Sequence, residues 1–234
     1  MKIDLKKKPQ NVTIVGGFPG FGLVGTISSE YLIDHLQAEK IGSIWFSEMT
    51  PMLAIHESKV VEPFGVFYSK KYNLVILHAI TNVAGMEWKI AVAVGELYKK
   101  LKAKEIICIE GVGSVGGKGG EDYYYYTNKK IKKWESTGVK KLKEGVVVGP
   151  TASLMLKMDN IPISCVFAET ASKLPDSRAA ALTIKALDTY LGLKVDYKPL
   201  LKKAEEFEGK LKKILEGTKK AKLVKDKKDV TYMG

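Results

Sequence analysis

Val12-Thr13-Ile14-Val15-Gly16-Gly17 runs directly into Phe18-Pro19-Gly20-Phe21-Gly22-Leu23-Val24-Gly25. A short β-branched run halted by two glycines, then helical spacing through Ile27, Tyr31, Leu32 and Leu36, predicts a strand, a glycine loop and a helix over residues 24–36. Gly20, Gly22 and Gly25 form a literal G-x-G-x-x-G in the strand-to-helix context that dinucleotide sites use. The acid such a site needs about 20 residues on is represented by Glu39, ahead of the next strand, and Glu48, beyond it. Two readings stay open: a nucleotide loop, or a tight crossing in which glycines let helix and sheet approach.

Outward from this stretch, strands are predicted at residues 43–47, 60–68, 73–80, 105–110, 123–127 and 163–168, several of them wholly apolar as buried parallel strands are. Residues 84–101 place Met86, Ile90, Ala93, Leu97 and Leu101 on one helical stripe. A further helix over residues 176–191 begins beside Pro175 and stops at Gly192. Strands alternating with helices predict an α/β layered sheet with helices on both faces.

The C-terminal part differs in kind. Leu200, Ala204, Phe207, Leu211 and Ile214 recur at intervals of 4, 3, 4 and 3 residues in a background of Lys and Glu, an amphipathic helix whose seam packs back on the sheet or meets another subunit. Residues 218–234 hold six lysines and too few apolar groups to order themselves. The expected organisation is an α/β domain over 1–197, an amphipathic helix over 198–217 and a flexible Lys-rich tail over 218–234.

The whole chain has 234 residues, 45% apolar and 27% charged, within the ordinary globular range. Its net charge of +12 is concentrated at the ends: residues 1–8 carry four Lys and one Asp, and residues 198–229 twelve Lys and six acids. Of 38 basic residues only Arg178 is arginine, which speaks against a sequence-reading DNA protein. High Lys and Glu is also what heat adaptation produces. Cys108 and Cys165 sit inside apolar runs, so no disulfide framework is expected and a reducing, cytoplasmic setting is favoured. Residues 9–29 lack charge for 21 positions, but five glycines and two prolines argue against a membrane helix, and no secretory signal is expected.

A second glycine run, residues 111–120, fails the P-loop pattern at Val112 and Gly119, and Val112 also breaks the nucleophile elbow around Ser114. Its place after a buried strand still makes Gly113 and Gly116, with Gly20, Gly22 and Gly25, a candidate ligand loop. His35, His56 and His78 have no metal-ligand spacing, so no metal is expected. Glu110, Glu121, Asp122 and Glu169 lie near strand ends as candidate acid/base groups. Tyr123 to Tyr126 should alternate faces, two toward the core and two outward, with the lysines that follow giving a mixture of aromatics and bases.

Residues 17–25 leading into Tyr31-Leu32-Ile33, residues 149–156, and Ala168-Glu169-Thr170 followed by Leu174-Pro175-Asp176 and Ala179-Ala180-Ala181 together resemble the archaeal form of the proteasome assembly chaperone 2 family over residues 10–192. The resemblance implies a three-layer α/β/α, phosphorylase/hydrolase-like fold, homo-oligomerisation, and chaperone action on proteasome α subunits or the 20S core particle without catalysis or cofactor. It further implies a C-terminal signature, hydrophobic-Tyr-any residue, that docks between α subunits. Here the chain ends Val230-Thr231-Tyr232-Met233-Gly234, with the tyrosine third from the end, and these residues are the candidate partner-binding element. Leu200, Phe207, Leu211 and Ile214 are the candidate oligomer interface. A nucleotide- or small-ligand-binding enzyme using the glycine loops is the alternative.

Overall fold

The computed structural model describes residues 1–49, 54–56, 58–81, 83–113, 122–170 and 174–202. In chain order the elements are β1 (Lys2–Leu5), β2 (Thr13–Gly17), α1 (Val24–His35), β3 (Glu39–Trp45), β4 (Ala54–His56), β5 (Lys59–Val61), β6 (Phe64–Ser69) and β7 (Leu74–Ala79). They continue as α2 (Glu87–Lys100), β8 (Glu105–Gly113), β9 (Tyr123–Thr127), α3 (Lys132–Glu135), β10 (Lys140–Lys141), α4 (Pro150–Lys157), β11 (Ile163–Thr170) and α5 (Ser177–Leu191).

Period-two alternation along the central strands builds the layers. Ile14, Ile106, Cys108, Cys165 and Phe167 face one core with α2 and α4, while Val15, Ile107, Ile109, Val166 and Ala168 face the other with α1, α3 and α5. Among the described residues nine strands form one sheet in the order β1-β3-β6-β7-β2-β8-β11-β9-β10, covered by helices on both faces as expected. The sheet is mixed. β7, β2, β8 and β11 are mutually parallel, whereas β6 and β3 pair antiparallel to their neighbours and β9 is antiparallel to β11 but parallel to β10.

Local chemistry explains most boundaries. Asp176 is the N-cap of α5, its carboxylate accepting from the Ala179 N–H at 2.9 Å, and Gly192 ends the helix at φ +70. The helix expected over 84–101 starts later, at Glu87, because Gly85 adopts φ +82 and its N–H donates to the Glu87 carboxylate at 3.1 Å. The strand expected over 60–68 is two strands: Pro63 has no N–H for a ladder, so β5 pairs with β4 in a separate ribbon and β6 enters the main sheet. Both cysteines are free and buried, side by side in the β8–β11 register.

Candidate functional site

A cleft of about 1230 Å³ opens beyond the C-terminal ends of β8 and β11, where an open α/β sheet is built to hold ligands. Pro19, Gly20 and Phe21 from the first glycine loop form one wall, Glu110–Gly113 of β8 the floor, and Phe167, Glu169 and Tyr124 another wall. The strap from Lys140 to Pro150, with Val146 and Val148 exposed, closes the far side.

Glu110 lies at the bottom. It is opposite Phe167 in the β8–β11 register and only 7% exposed. Thr151, in the first turn of α4, donates its hydroxyl to Glu110 Oε1. Burial pushes the Glu110 carboxyl up to about 8, overriding the Thr151 hydrogen bond that favours the ionised form. The other oxygen, Oε2, points at the loop: a Cβ built on Gly20 would stand 3.0 Å from it. Nearby, the Tyr124 hydroxyl donates to Glu169 Oε1 at 3.1 Å, and Lys140 pairs with Asp122 at 2.7 Å.

The candidate ligand-loop glycines divide. Gly20 and Gly113 line the cleft. Gly25 is a close crossing instead: a Cβ there would meet the carbonyl oxygens of Phe18 at 2.6 Å and Ile109 at 2.7 Å, so α1 rests directly on backbone. Gly22, at φ +62, faces Thr170 Oγ1, and its carbonyl accepts the Asp176 N–H at 2.8 Å. These two serve packing, and Gly116 lies outside the described residues.

Of the candidate acids, Glu110 and Glu169 reach the cleft, Asp122 is taken up by Lys140, and Glu121 lies outside the described residues. Of the histidines, His78 is buried, its Nδ1 and Ser29 Oγ sharing a hydrogen bond at 2.8 Å, and Ser29 Oγ lies 3.0 Å from the Thr26 carbonyl. His35 stacks on Tyr31. No group of three His, Cys, Asp or Glu that could hold a metal occurs among the described residues.

The four tyrosines alternate, but the expectation of two outward rings is corrected. Tyr125 is buried on Trp134 and Tyr123 packs on the same core. Tyr124 turns into the cleft on the opposite face, leaving Tyr126 exposed. Leu200 is 6% exposed, packed in the chain's own core on the α5 side, with residues 198–202 helical. Phe207, Leu211, Ile214 and the candidate tail residues Val230, Tyr232, Met233 and Gly234 lie outside the described residues. Sequence reading missed Thr151 and the Val146–Val148 strap. Gly149-Pro150-Thr151 was the available signal, a proline at a helix start.

Residues 14–215 match the family model described as the PAC2 family. The Pyrococcus furiosus protein PbaA, described as an archaeal homolog of proteasome-assembly chaperone, is 28% identical with a TM-score of 0.81, covering 97% of each chain. PbaB of the same organism, described as an archaeal proteasome activator, shares the fold at 22% identity and TM-score 0.77, covering 91% of this chain and 98% of its own. An uncharacterized protein of Methanocaldococcus jannaschii is 25% identical over 96% of this chain and 93% of its own.

Proposed function

This chain belongs to the PAC2 family, and from that membership we propose that it is a proteasome assembly chaperone or proteasome-binding protein, acting on α subunits without catalysis through a homo-oligomeric body and its C-terminal tail. The observation that carries the reading is the end-to-end likeness to PbaA, at 28% identity over 97% of both chains. The site chemistry supports it. Gly22 and Gly25, which a nucleotide loop would keep open, are consumed by packing against Thr170, Asp176, Phe18 and Ile109.

In this reading the body presents the tail. Leu200 anchors the first turn of the C-terminal segment in the core, and the seam continuing through Phe207, Leu211 and Ile214 joins copies of the chain. The lysines of 219–228 steer a terminal anchor of Val230, Tyr232 and Met233 toward an acidic groove between α subunits. Among the described residues no helix is long and apolar enough to cross a membrane, and membership of the family supports action in the cytoplasm. The test is native mass spectrometry of the purified chain mixed with proteasome α subunits. A defined complex of the two is the expected result, and separate species at all ratios would refute the reading.

A further inference from the structure

The cleft above Glu110 is not needed for tail docking, and its chemistry points to a ligand of its own. Its walls are apolar where Phe21, Val112 and Phe167 stand, and its floor is a carboxyl that the fold has taken out of water. Burying a carboxyl without a counter-ion is costly, so such a group is normally paired or neutralised by a proton. Among the described residues Thr151 is its one hydrogen-bond partner, satisfying Oε1, while Oε2 lies beside Gly20 in the cleft wall.

The charges around it decide the sign of the ligand. Glu87 from α2, Glu169 from β11 and Glu144 from the strap line the same cleft as Glu110, so an anionic ligand would meet four acids. Tyr124 directs its hydroxyl to Glu169, so that proton is already placed. Lys141 and Lys143 are on the strap beside Glu144, and Lys140, 66% exposed, is held outward by Asp122. None of these lysines contributes to the Glu110 ionisation, which only burial and Thr151 govern. Metal chelation has no support, since no ligand triad occurs among the described residues.

We propose that this cleft binds a small organic primary amine, its ammonium seated on Glu110 and its apolar body against Phe21, Val112 and Phe167. Glu110 holds a proton at neutral pH for want of a cation, with its carboxyl pushed up to about 8. An arriving ammonium supplies that cation. Glu110 then gives its proton to the buffer, and a carboxylate–ammonium pair replaces the neutral acid. The Thr151 hydroxyl donates in both states, and more strongly to the carboxylate.

The experiment is titration calorimetry of the full chain with three ligands of matched shape: 2-phenylethylamine, 2-phenylethanol and 3-phenylpropanoate. The amine should bind at least about tenfold more tightly than the alcohol, with no binding of the acid. Its heat near neutral pH should vary with the buffer's ionisation enthalpy, reporting the released proton. In Glu110→Gln the amine should fall to the affinity of the alcohol and the buffer dependence should vanish. Should the glutamine variant fail to fold, the buffer dependence of the unaltered chain still decides. Equal affinity for amine and alcohol, tightest binding of the acid, no heat from the amine, or amine binding without proton release would each overturn the proposal.

Discussion

The rings of Trp134 and Tyr190 lie face to face, centroids 4.0 Å apart and planes 8° from parallel. Tyr125 stacks on the same indole at 5.3 Å, and Trp134 Nε1 donates to the buried Ser164 hydroxyl at 2.9 Å. Four elements, α3, β9, α5 and β11, are thus joined through one fully buried side chain. Trp134→Ala should cost about 3–5 kcal/mol in urea unfolding from the cavity it leaves. Trp134→Phe should cost less, about 1–3 kcal/mol, by stranding Ser164. A fall below 1 kcal/mol for the alanine variant would show that the surrounding rings collapse into the space.

The pH profile of stability is shaped by two buried groups acting in opposite senses. Burial lowers His78 from 6.5 to about 4, so the folded state binds fewer protons than the unfolded one between those values. Its stabilisation is present above pH 6.5 and is lost as pH falls toward 4, by about 3 kcal/mol. Glu110 is raised from 4.5 to about 8, so its contribution is full below pH 4.5 and fades as pH rises to 8. Denaturation across this range should show a flatter acid limb for His78→Gln and a flatter alkaline limb for Glu110→Gln. Profiles parallel to the unaltered chain would refute both assignments.

Gly25→Ala should lower stability by on the order of 3 kcal/mol, because its Cβ would meet backbone oxygens at 2.6 and 2.7 Å that no side-chain rotation can move. Gly113→Ala is the control, with nothing within 4 Å of its Cβ, and should change stability by less than about 0.5 kcal/mol. Thermal melts of the two variants separate a packing role from general intolerance of the loop.

If the C-terminal seam joins subunits, the double change Phe207→Asp and Leu211→Asp should lower the mass read by light scattering while the circular dichroism of the α/β body persists. The charges would cost several kcal/mol at a buried apolar interface. An unchanged mass would assign the seam to packing within the chain, continuing what Leu200 already does.

Removing residues 219–234 should weaken binding to proteasome α subunits in surface plasmon resonance and leave the fold intact. Tyr232→Ala alone should cost about 1–3 kcal/mol, since an aromatic anchor gains contact area with few rotors to freeze. Neutralising Lys219, Lys220, Lys222, Lys225, Lys227 and Lys228 should instead lower the association rate and its salt dependence. Equal binding by truncated and full-length chains would move the contact to the body, where Tyr126 is the exposed tyrosine of β9.

Periodicity is local, and what it reports was legible in the sequence. Continuous apolar runs marked β2, β7, β8 and β11, helical spacing marked α1, α2 and α5, and the Asp176 and Gly192 caps fall where the residues predict. The short edge elements β1 and β10 carry too little pattern to be read, and Pro63 divides a run that hydropathy alone joins. The glycine stretch by itself left two readings open, a nucleotide loop and a close crossing of strand and helix. Which glycines face a cavity depended on the neighbours that β8 and β11 bring to them. Glu110 and Thr151 are 41 positions apart and meet only because β11 lies in register beside β8 and α4 starts above them. A carboxyl's state is set by what surrounds it in space, and only the tertiary structure withdraws this one from water and leaves it without a cation at the bottom of a cleft.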